Sequence, residues 1–449
     1  MTAFPPRPVP WPPAPWTFPA VETTAHPNGL TLVTCELPGR GLTAVQLVID
    51  AGAGREPPEL DGIATITARA LVEAGTDKRP ARSFAADLEH VGATLRAQVN
   101  VAALRLVLDA PASRLATALD LLAEAVHQPA FPAADVDRLV DERLAEIKIE
   151  DANPRTRARR ELHAIVLAPG ERAARPVGGG AQSVAGLDAA TARAYATAAI
   201  GPGAATCVVA GDQAEADIER LVADAFARWT GMPPAPAPEP PRFADGPRLV
   251  IVNRPGAKQT RLALGHGLPG REHGDWAGLT VAAHVLGGGL TSRLDAVLRE
   301  QKGYTYGFRA AAQPMRRGGI LVLEGAVASA ATAAALADVI SETERLRTAG
   351  VTPDEFAAAI RKLADGAPVR WDTARAIASE LARSVAGDRP ADYPARHLAE
   401  LRSLAVEDVV DVITRRLNTA DLGIVAVGDA DRIHRPLERL GIAPVEVVS

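Results

Sequence analysis

The feature that most limits what this 449-residue chain can fold into is that it is written twice. Leu30–Cys35 followed by Val45–Ile49 recurs, 217 positions later, as Pro247–Val252 followed by Leu262–Gly265. Gly62–Ala74 maps onto Leu279–Thr291 at the same offset, and Val208-Val209-Ala210-Gly211-Asp212 maps onto Val425-Ala426-Val427-Gly428-Asp429. The first pair reads as two short strands joined by a Gly/Pro turn, the second as Ala-rich helices, and the third as a buried strand ending in Gly-Asp. Three registrations at one spacing describe a tandem duplication. Each copy has about 200 residues, the size of an ordinary domain.

Proline marks the seam. Pro233, Pro234, Pro236, Pro238, Pro240 and Pro241 fall between Thr230 and Pro247, a run that favours extended polyproline structure and acts as a semi-rigid spacer. The organisation expected is an arm over 1–24, a first α+β domain over 25–230, a linker over 231–247 and a second α+β domain over 248–449. Trp11 and Trp16 lie in the arm, available to pack on a surface. Within the first copy, Leu115, Leu119, Leu122 and Val126 recur at helical spacing, as do Val136, Val140, Leu144 and Ile147. Pro132 and Asp135 are start signals for the latter. Alternation over Thr94–Leu108 predicts two paired strands. Each half is therefore expected to be a mostly antiparallel sheet with helices packed on one face.

Apolar residues are 47% of the chain, but aromatics only 4%, so the cores must be built from Ala, Leu, Val and Ile. A formal charge of −5, with acids and bases interspersed as in Asp135–Glu150, gives no basic stripe for nucleic acid. No run of about 18 apolar residues is present to span a membrane. Met1–Pro19 has no apolar stretch of signal-peptide length, and a cytoplasmic location is expected. Cys35 and Cys207 each sit in an apolar strand-like run and read as buried free thiols.

A duplicated α+β chain with this order of motifs resembles the pitrilysin or insulinase-type zinc peptidases, which include mitochondrial processing peptidase and insulin-degrading enzyme. The resemblance spans roughly residues 25–445 and implies two homologous domains forming half of a clamshell. Active members carry His-x-x-Glu-His on the first helix, with a third ligand, a Glu, about 76 residues further on. Here the matching stretch runs Gly62-Ile63-Ala64-Thr65-Ile66-Thr67-Ala68-Arg69-Ala70-Leu71. Thr65 and Arg69 stand at the two His positions and Ala68 at the general base, while Glu146 falls where the third ligand belongs. A Thr hydroxyl is a poor zinc ligand, and Arg keeps a positive charge that repels a cation. No two of the nine histidines are four residues apart, so none offers a replacement pair. The resemblance thus implies a chain that binds no metal itself.

The second half keeps what the first has lost. Leu286-Gly287-Gly288-Gly289-Leu290-Thr291-Ser292-Arg293-Leu294, running on to Leu298-Arg299-Glu300-Gln301-Lys302-Gly303-Tyr304-Thr305-Tyr306-Gly307, closely matches the family's C-terminal signature. In that family the residues matching Arg299 and Tyr306 reach across the chamber to bound substrate. Gly287, Gly288 and Gly289 match a loop near the chamber entrance, which suggests an interface role; they also serve simply as a turn. They form no phosphate cradle, since the Gly-x-Gly-x-x-Gly and Walker patterns are absent.

The resemblance therefore implies a non-catalytic subunit, without a cofactor of its own, paired with a homologous subunit that holds Zn2+ on an intact His-x-x-Glu-His. The expected substrates are short or unfolded peptides, with no nucleic acid and no membrane involved. A purely structural scaffold, a peptide-binding homodimer and a role in maturing a modified natural-product peptide are the alternatives.

Overall fold

The computed structural model describes residues 16–212, 217–231, 236 and 238–448. Among these residues, twelve strands fall into two six-stranded sheets. The first holds β1 (Glu22–Ala25), β2 (Thr31–Glu36), β3 (Leu42–Ile49), β4 (Thr94–Val99), β5 (Leu104–Pro111) and β6 (Ala205–Gly211), in the order β1-β2-β6-β3-β5-β4. The second holds β7 (Arg248–Asn253), β8 (Gln259–Leu268), β9 (Thr305–Met315), β10 (Gly318–Ala328), β11 (Gly423–Gly428) and β12 (Val445–Val448), in the order β12-β7-β11-β8-β10-β9. The two orders are the same once β2, β3, β4, β5 and β6 are matched to β7, β8, β9, β10 and β11. The duplication is thus a duplication of topology. One place differs: beside β2 lies the preceding strand β1, antiparallel, whereas beside β7 lies the last strand β12, parallel.

The 217-residue offset holds at the start of β2 against β7 and at the end of β6 against β11. It does not hold at the first helices. The helix Ile63–Glu73 corresponds to Trp276–Gly287, which begins 213 residues later because the loop before it is shorter. The predicted helices appear as Leu115–His127 and Ala133–Ala152, and the predicted hairpin as β4 and β5.

Central strands β3, β6, β10 and β11 are buried along nearly their whole length, so both faces of each sheet must be covered. Helices of its own half cover one face of the first sheet. There Ile66, Leu119, Leu122, Val136 and Val222 share a core with Leu47, Cys207 and Val209. The opposite face is closed by the other half. Val33, Cys35, Val48, Val208 and Ala210 pack in one core with Ile377, Ala378, Leu381 and Ala382 of the helix Ala374–Ala386. The exchange is mutual. Helix Pro154–Val166 of the first half lays Ala158, Leu162 and Val166 on Ala263, Ile320, Val322, Val425 and Val427 of the second sheet.

Polar bonds run along the same seam. The Gln46 amide donates to Ser379 Oγ at 2.8 Å, and Arg316 bridges Asp50 and Asp388 at 2.7 Å each. Described parts of the proline-rich linker lie there too, where residues lacking an N–H contribute through carbonyls. Arg55 donates to the Pro236 carbonyl at 2.8 Å and Arg317 to that of Pro238 at 2.9 Å. Of the arm, Trp16 stacks on Trp371 with ring centroids 5.7 Å apart, and Phe18 meets Trp371 edge-on at 5.0 Å. Trp11 lies outside the described residues.

Cys35 and Cys207 are free and buried, and they point to opposite faces of the first sheet, so they cannot pair. Burial pushes their thiols up, to about 11 and about 12 respectively. Among the described residues no helix is long and apolar enough to cross a membrane.

Candidate functional site

The helix carrying the degenerate motif is fixed at its start. Gly62 adopts the left-handed φ of 101°, and the backbone N–H groups of Gly62 and Ala64 both donate to Glu56 Oε1 at 3.0 Å. A carboxylate there satisfies orphan donors and complements the helix dipole. Burial raises the Glu56 pKa against the lowering influence of its partner Arg172.

One and two turns into this helix the side chains face the Ala133–Ala152 helix. Ala68 is wholly buried. Thr65 is half-buried, and its Oγ1 is enclosed without a hydrogen-bond partner. Arg69 points its guanidinium into the space between the helices. Its Nη2 donates to Glu142 at 2.7 Å, its Nη1 to Glu146 at 3.0 Å and its Nε to Glu73 at 3.4 Å. The remaining Glu146 oxygen accepts from Arg143 at 3.1 Å. Glu146 is therefore held between two arginines. Zinc does not fit here: one Glu remains where three ligands are needed, and a permanent cation is its partner. Among the described residues no group of three or more His, Cys, Asp or Glu is arranged to hold a metal ion.

The guanidinium links two helices through carboxylates that are each roughly 40–50% exposed, so water screens part of the attraction. Arg69→Leu should lower unfolding free energy by about 1–2 kcal/mol, more at low salt than at high salt. Urea titrations of both proteins at two ionic strengths measure this. A salt-independent difference would mean that lost packing, not charge, accounts for it.

The second-half motif begins where Trp276–Gly287 runs into β9. A Cβ on Gly287 would lie 2.3 Å from the Ala310 backbone nitrogen, so only glycine allows the helix end this close to the strand. One on Gly288 would strike the His284 ring at 2.1 Å, while one on Gly289 would meet nothing. The first two glycines are thus required by packing. Beyond them Arg293 is buried in a fork with Glu355, both bonds at 2.7 Å, and is structural. Its guanidinium holds the Glu355 carboxyl down at about 2.

Asp295–Gln301 forms a π-helical turn, a wide turn that is frequent at functional sites. Fully buried Asp295 ties it to β9 by accepting from the Phe308 N–H at 2.8 Å and from Arg309 at 2.7 Å. Arg299 lies on this turn, partly exposed, with Nε 3.4 Å from Glu300. Tyr306 is 92% exposed.

That exposure has a specific cause. Along β9 Phe308 and Ala310 are buried and Arg309 and Ala311 exposed, so strict alternation would bury Tyr306 as well. Between the pairs Phe308↔Gly325 and Thr305↔Val327, however, β9 spends one residue more than β10. The bulge shifts the alternation and turns Tyr306 outward. Thr305 Oγ1 secures the irregularity by donating to the Ala326 carbonyl at 2.7 Å and accepting from the Gly307 N–H at 3.0 Å.

The resemblance to the family's C-terminal signature pointed to Arg299 and Tyr306 but not to their neighbours. Arg309 stands across the β9–β10 pair from Glu324, and Arg155 and Arg159 of the Pro154–Val166 helix reach that same Glu324. The available signal was a lone acid in the apolar run Ile320–Val327, together with two arginines one helical turn apart.

The model of "Insulinase (Peptidase family M16)" matches residues 33–176, and that of "Peptidase M16 inactive domain" matches residues 186–363. The chain belongs to the insulinase family. An uncharacterized zinc protease of Mycobacterium tuberculosis is 29% identical over 418 residues, covering 91% of this chain and 93% of that protein. One of Streptomyces coelicolor is 25% identical over 428 residues, covering 92% of each. Among solved structures, a peptidase M16 inactive domain from Pseudomonas fluorescens superposes with a TM-score of 0.85 at 24% identity, covering 91% of this chain and 98% of that one. A protease from Helicobacter pylori gives 0.82 at 17% identity, covering 92% and 100%. A chain of Candida albicans complex III2 gives 0.78 at 16%, covering 94% and 100%. These likenesses establish the insulinase-family fold. Arg69 and its three glutamates lie within the stretch that the sequence resemblance sets against the zinc-binding motif.

Proposed function

We propose that this chain is the non-catalytic subunit of a heterodimeric zinc peptidase, presenting Arg299 and Tyr306 to a peptide held at the metal site of a homologous partner. The observation that carries this reading is the contrast between the halves. Arg69 closes the first half's motif with ion pairs, while Tyr306 stands 92% exposed in the second. The bulge leaves the Tyr306 side chain in water with no partner among the described residues, and bulges recur beside active sites. Amide hydrolysis places negative charge on the carbonyl oxygen, where a Tyr O–H donor lowers the barrier, and a guanidinium holds substrate carbonyls in register.

A purely structural role is the second reading, supported by the likeness to a chain of complex III2. Separating the two requires the partner, a homologue with intact His-x-x-Glu-His. This chain alone is expected to carry no stoichiometric zinc and to cleave no unstructured peptide, and adding the partner to produce cleavage. Full activity of the partner by itself, unchanged on mixing, would favour the scaffold.

A further inference from the structure

The face of the second sheet beside Tyr306 carries more arginine than its carboxylates use. Glu324 on β10 has a side chain only 7% exposed, yet three guanidinium groups reach it. Arg159 grips it through Nε at 2.8 Å and through Nη2, Arg155 through Nη2 at 3.3 Å, and Arg261 through Nη2 at 3.2 Å. Arg309 is the register partner of Glu324 on β9 and is paired with buried Asp295. Opposite residues of an antiparallel pair share a face, so Arg309 stands beside the Glu324 cluster. The bulge turns Tyr306 toward that same face. Among the described residues, four arginines against two carboxylates leave two positive charges unmatched in this cluster.

Depth sorts the charges by sign. Arg155, Arg159 and Arg309 have side chains 59%, 45% and 48% exposed, whereas the carboxylates beneath them are 7% and 0% exposed. A molecule approaching this face meets guanidinium first. Holding the Pro154–Val166 helix to the sheet does not call for all of them, since the two-pronged grip of Arg159 already pairs with Glu324. An exposed single contact such as that of Arg155 contributes little to stability. Crowding also leaves a mark on Arg261: burial lowers its pKa, Arg155 and Arg159 lower it further, and its Nε is enclosed without a hydrogen-bond partner.

The geometry points to a carboxylate-selecting subsite: the peptides this chain receives carry acidic groups that dock on Arg155 and Arg309 beside Tyr306. This rests on the peptide-handling role proposed above and names its substrate class. The carboxylate is either an Asp or Glu side chain or the peptide's own C-terminus.

Fluorescence anisotropy on the full-length chain tests it. The probes are one extended labelled peptide bearing Glu, Gln or Lys at alternate positions, each with a free or an amidated C-terminus. The Glu peptide should bind about tenfold more tightly than the Gln peptide, the Lys peptide more weakly still, and the gap should shrink at high salt. A Glu–Gln gap that survives amidation assigns the carboxylate to side chains; tighter binding of each free-terminus peptide than of its amidated form, with Glu and Gln equal, assigns it to the C-terminus. Arg155→Gln should weaken acidic binding about threefold while leaving the neutral amidated peptide and the unfolding midpoint unchanged, because Glu324 keeps two arginines. Equal affinities for Glu and Gln peptides, free and amidated alike, would overturn the selectivity and leave peptide handling intact. Binding of none of the six would overturn both.

Discussion

Tyr306→Phe is expected to lower kcat of the assembled peptidase by about 10²-fold, the usual cost of losing one hydrogen-bond donor aimed at a developing oxyanion. KM should change little, because the ring remains and only the hydroxyl is lost. Stability should not change either. Tyr306 is 92% exposed and makes no hydrogen bond among the described residues, so removal of its O–H breaks nothing in the free chain. Exposed substitutions of this sort usually stay within about 0.5 kcal/mol. This combination separates a catalytic contribution from a structural one. Steady-state kinetics on the mixture, beside an unfolding curve of the isolated variant, provide both measurements. Unchanged kcat with normal assembly would eliminate the cross-chamber role.

The second large effect concerns Glu324, the buried anion that joins the halves. Glu324→Gln leaves Arg155, Arg159 and Arg261 converging on a neutral group. Breaking a buried pair from one side commonly costs about 3–5 kcal/mol, and the partial exposure of two of these arginines reduces the expected loss to about 2 kcal/mol. The pH dependence has a definite sign. Burial alone would raise the Glu324 pKa, but the hydrogen bonds and charges of Arg159 and Arg261 outweigh it and hold the carboxyl below its ordinary value. A depressed folded pKa contributes stability that is present above the unfolded glutamate value of about 4.3 and disappears as pH falls through the folded one. The native chain and the variant should therefore differ most at neutral pH and converge in acid. Urea midpoints at descending pH measure the gap; a constant difference would place the cost in packing.

Residues that act through their own identity were legible in the sequence. The resemblance sets Thr65, Ala68 and Arg69 against the family's metal ligands and base, and none of these side chains has the chemistry of a zinc ligand. Val208–Asp212 and Val425–Asp429 announced the duplication, because strands buried on both faces stay apolar throughout and so preserve a recognisable pattern. Residues that act through partners were not legible. The Pro154–Val166 helix is crowded with arginine, yet Ala158, Leu162 and Val166 place it on the sheet of the other half. Its destination depends on which surface lacks cover, a property of the assembled halves.

Arg69 shows the same division within one residue. Its charge and its position in the motif are sequence facts, and they exclude a bound cation. Its three carboxylate partners, from its own helix and the neighbouring one, depend on how two helices pack. Tyr306 divides likewise: the resemblance to the family's signature marked it out, but its outward aim depends on one extra residue in the pairing of β9 with β10. The doubled topology could be read from short-range apolar periodicity repeated at one offset, whereas the departures at Thr65, Ala68 and Arg69 and the interest of Arg299 and Tyr306 come from the resemblance to the family's motifs. Tertiary structure alone decided the helix exchange, the arginine cluster on Glu324 and the direction of Tyr306, because sheet register and cross-half packing join residues far apart in the chain.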